Sequence, residues 1–309
     1  MIQLFQQRDF GDKINTTFQY ITQNFRSLGV SLLYIVGPVA LMAGIASGVM
    51  QSNIFDLGKT AEDAGRDSSA PFAVGYALAL SFFSPAFWIT MLFSLLAILA
   101  VSLATYAHMK VYARKTQPNA PTSFTGTVDI SVAEVWEEMQ PLIGRGVLIS
   151  VLSAIISFIA TMFFVIPGVY VGIVLSLGLV VTTFEGTDFG ETWNRCFALI
   201  RDKWWSTFGL IIVMGIISAV VGMIFSVPAG IIGILTGMKL LPNITSFWLI
   251  LGNVIATVGG TLLRALIYVA IGFQYTNLVE RQEGRGLLSA IDSIGTSPTQ
   301  PRASDEGTY

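Results

Sequence analysis

The sequence predicts an all-α protein, a polytopic membrane helical bundle. Hydrophobic residues make up 53% of the 309 positions and charged residues only 12%, where soluble domains carry roughly 25%. Six apolar segments approach the ~20 residues that a helix needs to cross hydrocarbon. Charge is also segregated, since no Asp or Glu falls inside those segments and Arg264 is the one cation that does. The full expectation is six transmembrane helices plus three cytoplasmic amphipathic interfacial helices in a threefold pseudo-repeat.

The spans are expected at 29–50, 86–108, 146–166, 168–184, 207–227 and 247–277. The first 28 residues are polar or amphipathic, so a cleaved signal peptide is not expected and the first apolar run stays as a span. Pro38 should kink that span. The apolar piece from Pro71 to Phe83 is too short to cross alone and reads as interfacial or re-entrant, like the piece from Ala229 to Leu241. Ile166-Pro167-Gly168 separates the third and fourth spans and predicts a tight hairpin there, because Pro ends a helix and Gly permits a turn.

Orientation follows from the basic residues. Arg8, Lys13 and Arg26 precede the first span; Lys110, Arg114, Lys115 and Arg145 follow the second. Arg195, Arg201 and Lys203 separate the fourth and fifth, and Arg281, Arg285 and Arg302 follow the sixth, against only Lys59, Arg66 and Lys239 in the opposite loops. The positive-inside rule then places both termini in the cytoplasm of a multi-pass protein of the bacterial cytoplasmic (inner) membrane. Residues 1–292 read as a single membrane domain, with units of about 8–114, 129–185 and 186–284. The tail 293–309, rich in Ser, Thr and Pro, reads as disordered.

The units come from an internal repeat. Asp9-Phe-Gly-Asp12 reappears 179 residues later as Asp188-Phe-Gly-Glu191. Behind it, Phe10, Ile14, Phe18, Ile21 and Phe25 match Phe189, Trp193, Phe197, Ile200 and Trp204, both sets stepping by 4, 4, 3, 4. That step keeps one helix face apolar. Each copy opens with a capping-box pattern, and Ser131-Val-Ala-Glu134 supplies a third ahead of Val135, Trp136, Met139 and Ile143. The middle copy departs at Gln140 and Pro141. The candidate lipid or partner face is therefore Phe10, Ile14, Phe18, Phe25, Trp136, Phe189, Trp193, Phe197 and Trp204. Such faces suit a helix lying in the headgroup layer, aromatic side toward lipid and basic residues toward phosphate, and equally an ordinary protein core. Gly44-x-x-x-Gly48, Gly168-x-x-x-Gly172 and Gly233-x-x-x-Gly237 predict close helix packing.

Little of the sequence points to chemistry. Cys196 is the single cysteine and His108 the single histidine, so neither a disulfide nor a Cys/His zinc site is expected. A serine hydrolase needs a base beside its nucleophile, and no G-x-S-x-G elbow or orienting carboxylate accompanies His108. Glu134, Glu137 and Glu138 lack the loop spacing of a calcium or magnesium site and read as a solvated helix face. Asp188-Phe189-Gly190 stands without the other kinase motifs. No catalytic, cofactor-binding or metal residue is assigned, and no cofactor is expected. Arg264 is the candidate intramembrane polar site, either functional or a snorkelling boundary residue. No basic domain suggests nucleic acid; the expected partners are membrane lipids, a membrane-protein partner or a homo-oligomer.

Ile166-Pro-Gly-Val-Tyr-Val-Gly-Ile-Val-Leu-Ser176, Phe184-Glu-Gly-Thr-Asp-Phe-Gly-Glu191 and Ile200-Arg-Asp-Lys-Trp-Trp205 resemble a bacterial group of uncharacterised six-transmembrane proteins. These are similar to the membrane domain attached to some glycerophosphoryl diester phosphodiesterases. The resemblance covers about residues 130 to 215 closely and the rest more loosely. It implies fold and membrane location; this chain has no catalytic barrel, so no catalytic residue is carried over. The expected function is non-enzymatic, engaging lipid headgroups or a partner through the cytoplasmic helices in a scaffold or envelope role. The alternative is a channel or exporter for a small or lipid-like solute, which should show a continuous polar cavity with Arg264 on its wall.

Overall fold

Asp9, Ser84, Ser131 and Asp188, short polar residues in extended backbone, each stand immediately before a helix. The structure, a computed structural model, describes residues 2–64, 75, 79, 81–116, 128–237, 246–286 and 288. The helices are α1 (Phe10–Gln23), α2 (Phe25–Ile35), α3 (Gly37–Ala64), α4 (Pro85–Lys115), α5 (Val132–Met139), α6 (Ile143–Phe163), α7 (Val165–Leu175), α8 (Gly178–Glu185), α9 (Phe189–Ile200), α10 (Trp204–Gly237), α11 (Ser246–Leu263) and α12 (Ala265–Glu283). A 3-10 turn, Gln140–Leu142, joins α5 to α6 at Pro141, and no strand occurs among the described residues.

Five stretches are long and apolar enough to cross a membrane: Pro85–Lys115, Val132–Phe163, Val165–Glu185, Trp204–Leu235 and Phe247–Glu283. Phe25–Ile35 and Gly37–Ile54 make a sixth if that pair, bent by 57°, is one span. The bend falls at Val36, two residues before Pro38, which has no N–H to bond the carbonyl of Tyr34 and whose ring crowds it. The architecture is that of a membrane helical bundle. Its outer surface carries Phe158, Met162, Phe163, Phe164 and Ile166, each 64% exposed or more, a surface that suits lipid and not water.

Several local expectations need correcting. The third and fourth apolar segments turn at Phe164, in extended backbone, so Pro167 and Gly168 lie in the first turn of α7. Pro is tolerated there because early helix amides lack partners anyway. Gly168 is instead required by packing, since a Cβ would fall 2.5 Å from the Cα of Thr161 on α6. The piece 229–241 is not separate through Gly237, because α10 runs on through Pro228. The tail 293–309, and all of Pro71–Phe83 except residues 75, 79 and 81–83, lie outside the described residues. Asp9 and Asp188 occupy N-cap positions but make no side-chain cap bond, whereas Ser131 and Glu134 form the full reciprocal capping box. Ser131→Ala should therefore cost about 1 kcal/mol in a chemical unfolding curve, and no measurable loss would show that the box contributes nothing.

The best-packed region lies at the end of the bundle where α1, α5 and α9 sit, the belted end. There α12 is buried without interruption from Val269 to Glu280, enclosed by α1, α4, α8, α9 and α10. The belted-end interior is polar in part: Thr105, His108, Thr182, Thr183, Thr207, Gln274, Thr276 and Asn277 are all buried. α1 and α9 begin 179 residues apart, as do α2 and α10. Asn24 ends α1, its side-chain Nδ2 donating to Tyr20 O at 2.9 Å, a local bond that competes with the helix. The later break holds Asp202 in left-handed backbone at φ 62°.

Candidate functional site

α1 turns one polar flank inward, that of Lys13, and leaves Asp12, Asn15, Gln19, Thr22 and Gln23 exposed. Lys13, Thr16, Thr17, Tyr20 and Asn24 are buried, while Phe10 (40%), Phe18 (38%) and Phe25 (72%) are exposed and Ile14 is intermediate. The contacts of α1 with α12 move only from Asn277 at Arg8 to Phe273 at Tyr20. The twelve residue steps from Arg8, just ahead of α1, to Tyr20 span ~18 Å or more, against ~6 Å on α12, so α1 crosses α12 instead of following it. Its basic residue thus points into the protein, not toward solvent-side phosphate as expected.

The buried ammonium of Lys13 donates to Gln274 Oε1 at 2.7 Å and Ser206 Oγ at 3.1 Å, and Gln274 Nε2 donates onward to Thr207 Oγ1 at 2.8 Å. Beside it Arg8 N donates to Asn277 Oδ1 at 3.1 Å, and Asn277 Nδ2 returns a bond to Arg8 O at 3.2 Å. The Arg8 guanidinium is engaged by carbonyls of Gln3, Leu4 and Gln6 and lies over the Phe273 ring. These groups border a cavity of about 110 Å³ between α1, α10 and α12 whose charged lining is Arg8, Lys13, Lys203 and Arg281 against Asp9 alone. None of the four cations has a carboxylate within ion-pair distance among the described residues. Burial, with Arg281 and Lys203 close by, lowers the Lys13 pKa to about 8 although Asp9 opposes the shift.

A larger groove of about 600 Å³ opens beside the same helix. Ile21, Phe25, Leu28 and Leu32 form one wall, and Val258, Leu262 and Leu266 are among the residues of the other. Between cavity and groove, Ile14 and Ile21 pack on Leu210, Met214, Leu266 and Ala270. α1 therefore borders a cationic site at its start and an apolar one at its end.

The other sequence-predicted residues divide. Phe189, Trp193 and Phe197 on α9 are half-buried in a ring cluster that reaches Tyr170 of α7 and continues through Trp204 to Phe208. That face is largely satisfied by protein, unlike the face of α1. Trp136 on α5 is 40% exposed. Arg264 is exposed at the break between α11 and α12, with its backbone N bonded to Thr261 O at 3.1 Å. It lines neither cavity, and the cationic cavity stays at the belted end.

Two networks escaped the sequence reading because their members lie far apart in the chain. Ser27 Oγ is 3.1 Å from His108 Nε2, and Tyr20 OH is 2.8 Å from Nδ1. Ser27 donates to Asn24 O at 3.2 Å, so it accepts from Nε2–H and Tyr20 O–H donates to Nδ1. In that tautomer the ring is no base for Ser27. The second network joins Arg195 to Glu185 through Nε and Nη2, and to Glu283, while Tyr275 OH donates to Glu185 at 2.8 Å. Burial would lower the Arg195 pKa, but its bonds to Glu185 and Glu283 raise it well above the ordinary value. Cys196 is pushed up to about 12 by burial and then by Glu185, against Arg195, so its thiol is unreactive at neutral pH. No cluster of three or more metal-binding side chains occurs among the described residues.

No model of a known protein family matches the chain, and no curated protein or solved structure matches it either.

Proposed function

We propose that this chain is a non-enzymatic protein of the bacterial cytoplasmic membrane whose belt helices engage lipid headgroups. In this reading six spans cross the bilayer, both termini are cytoplasmic, and three units each open with an amphipathic helix. The shared 179-residue spacing of the helix starts supports the relation of the first and last units. The observation that carries the function is that α1 buries Lys13, Thr16, Thr17 and Tyr20 while Phe10 and Phe18 of α1 and Phe25 at the start of α2 stay outside. An aromatic row in water would be costly; at a headgroup boundary it is an anchor.

The lone cysteine makes a direct test simple. In a Cys196→Ala background, Phe18→Cys carries a nitroxide label and the protein is placed in vesicles. Collisions with dissolved oxygen should exceed those with a water-soluble nickel chelate, as for a probe within the bilayer. Preferential access of the chelate, or exclusion of both reagents, would remove the headgroup reading.

A further inference from the structure

We infer that the cavity between α1, α10 and α12 binds a phosphate group through Lys13, Lys203, Arg281 and the Ser206 hydroxyl, the phosphate being that of a lipid whose chains lie in the apolar groove. The inference rests on the lipid-engaging reading of α1 and adds to it a place and a ligand chemistry.

Charge comes first. Four cations face the cavity with one carboxylate, and a buried charge left unpaired is expensive. Lys13 is 3% exposed and spends two of its three N–H donors on the neutral oxygens of Ser206 and Gln274. Its charge is therefore solvated but not neutralised. Arg8 adds field instead of free donors, because its guanidinium is held by the N-terminal carbonyls.

Helix polarity acts in the same sense. Asp9 and Phe10 at the start of α1, and Lys203 and Ser206 at the start of α10, all line the cavity. α1 has no side-chain cap bond, so two helix N-termini with partial positive charge converge there. A tetrahedral oxyanion satisfies several donors converging from different elements at once, which a single carboxylate does less well.

Size and position select the lipid as the source. At about 110 Å³ the cavity is smaller than the ~300 Å³ and above that encloses a whole small molecule, so the rest of the ligand must lie elsewhere. Lys13 borders the cavity and Ile21 the groove, eight residues or ~12 Å apart along α1. One acyl chain, which fills a leaflet ~15 Å deep, is long enough to cover that distance. Between them Ile14 and Ile21 pack on the buried Leu210, Met214, Leu266 and Ala270, so a chain would lie over the half-exposed outer side of these two isoleucines, which carries no charge.

The test uses the full chain, delipidated in neutral maltoside micelles, with three probes: phosphatidylglycerol, diacylglycerol of the same chains, and inorganic phosphate. Binding is read by native mass spectrometry and by the shift in melting temperature. Phosphatidylglycerol should bind one per chain and diacylglycerol at least tenfold more weakly. Lys203→Gln/Arg281→Gln, at two exposed positions, should weaken phosphatidylglycerol at least tenfold while leaving the unliganded melting temperature in place. Affinity should also fall as pH rises through about 8, where Lys13 loses its proton in the field of Arg8, Lys203, Arg281 and Asp9. Equal protection by inorganic phosphate would assign the site to the free anion and overturn the lipid half. Equal binding of diacylglycerol, or full binding by the double variant, would overturn the phosphate site itself. Because the label at position 18 reports bilayer contact independently, failure of the cavity and failure of the headgroup reading are separable.

Discussion

Leucine at Gly48 is expected to pull α3 away from α11 and to deplete the folded protein in a detergent extract. A Cβ at Gly48 would fall 2.8 Å from Ile250 Cα, and one at Gly44 2.9 Å from Val254 Cα. Both obstacles are backbone, so no rotamer change relieves the clash. Overfilling a packed site typically costs about 1–3 kcal/mol, and here two helices must separate along their length, which puts the expected loss at about 3 kcal/mol or more. The loss is large because helices in lipid are held by close packing and not by escape from water. Gly233→Leu is the matched control. Nothing lies within 4 Å of a Cβ there, so its effect should stay within about 0.5 kcal/mol. Reversible unfolding in mixed detergent micelles measures both variants, and a Gly48→Leu protein as stable as the control would refute the packing argument.

Removing the Glu185 carboxylate should be the most damaging change at the belted end outside the cavity. Glu185 accepts three bonds from Arg195, two of them from the shared Nε–H, and one from Tyr275, with its side chain 14% exposed. Glu185→Ala would leave the guanidinium with Glu283 alone and the Tyr275 hydroxyl without an acceptor. Stranding partly buried groups in this way costs about 2–3 kcal/mol, and Glu185→Gln, which keeps an acceptor oxygen, should cost less. Cys196 offers a local readout, because α9 shields its thiol completely in the native fold. Alkylation of Cys196 should accelerate in Glu185→Ala, and an unchanged rate would place the network outside the forces that hold α9. Lipid binding should persist in this variant, since none of its partners lines the cationic cavity.

The two amphipathic segments show how far periodicity reaches. Their matching steps identify which side chains share a face, and the helix starts at Phe10 and Phe189 agree with them. Periodicity is silent about what that face meets. Phe18 stays on the surface, whereas Phe197, with Trp193 packed on its ring, meets Tyr170 from another helix. Capping was misjudged for a related reason. An Asp three residues before an acidic residue satisfies the pattern, but only at Ser131 does the side chain turn to meet the amide. The hairpin between α6 and α7 was placed late because Pro167 can stand in the first turn of a helix as readily as after its end.

Composition and spacing alone determined that this chain is helical and apolar enough for a membrane, where α1 and α9 begin, and that the chain bends near Pro38. Those properties are local, set within one or two helical turns. Tertiary structure alone decided which flank of α1 faces inward, that of Lys13, Thr16, Thr17 and Tyr20. It also brought Arg8 and Lys13, Lys203 and Ser206, and Gln274 and Arg281 around one cavity from three distant parts of the sequence. The physical reason is that in a bilayer the interior of a bundle can be more polar than its surface. Lys13 is buried because Gln274 and Ser206 solvate it there, and no residue near position 13 in the sequence encodes them.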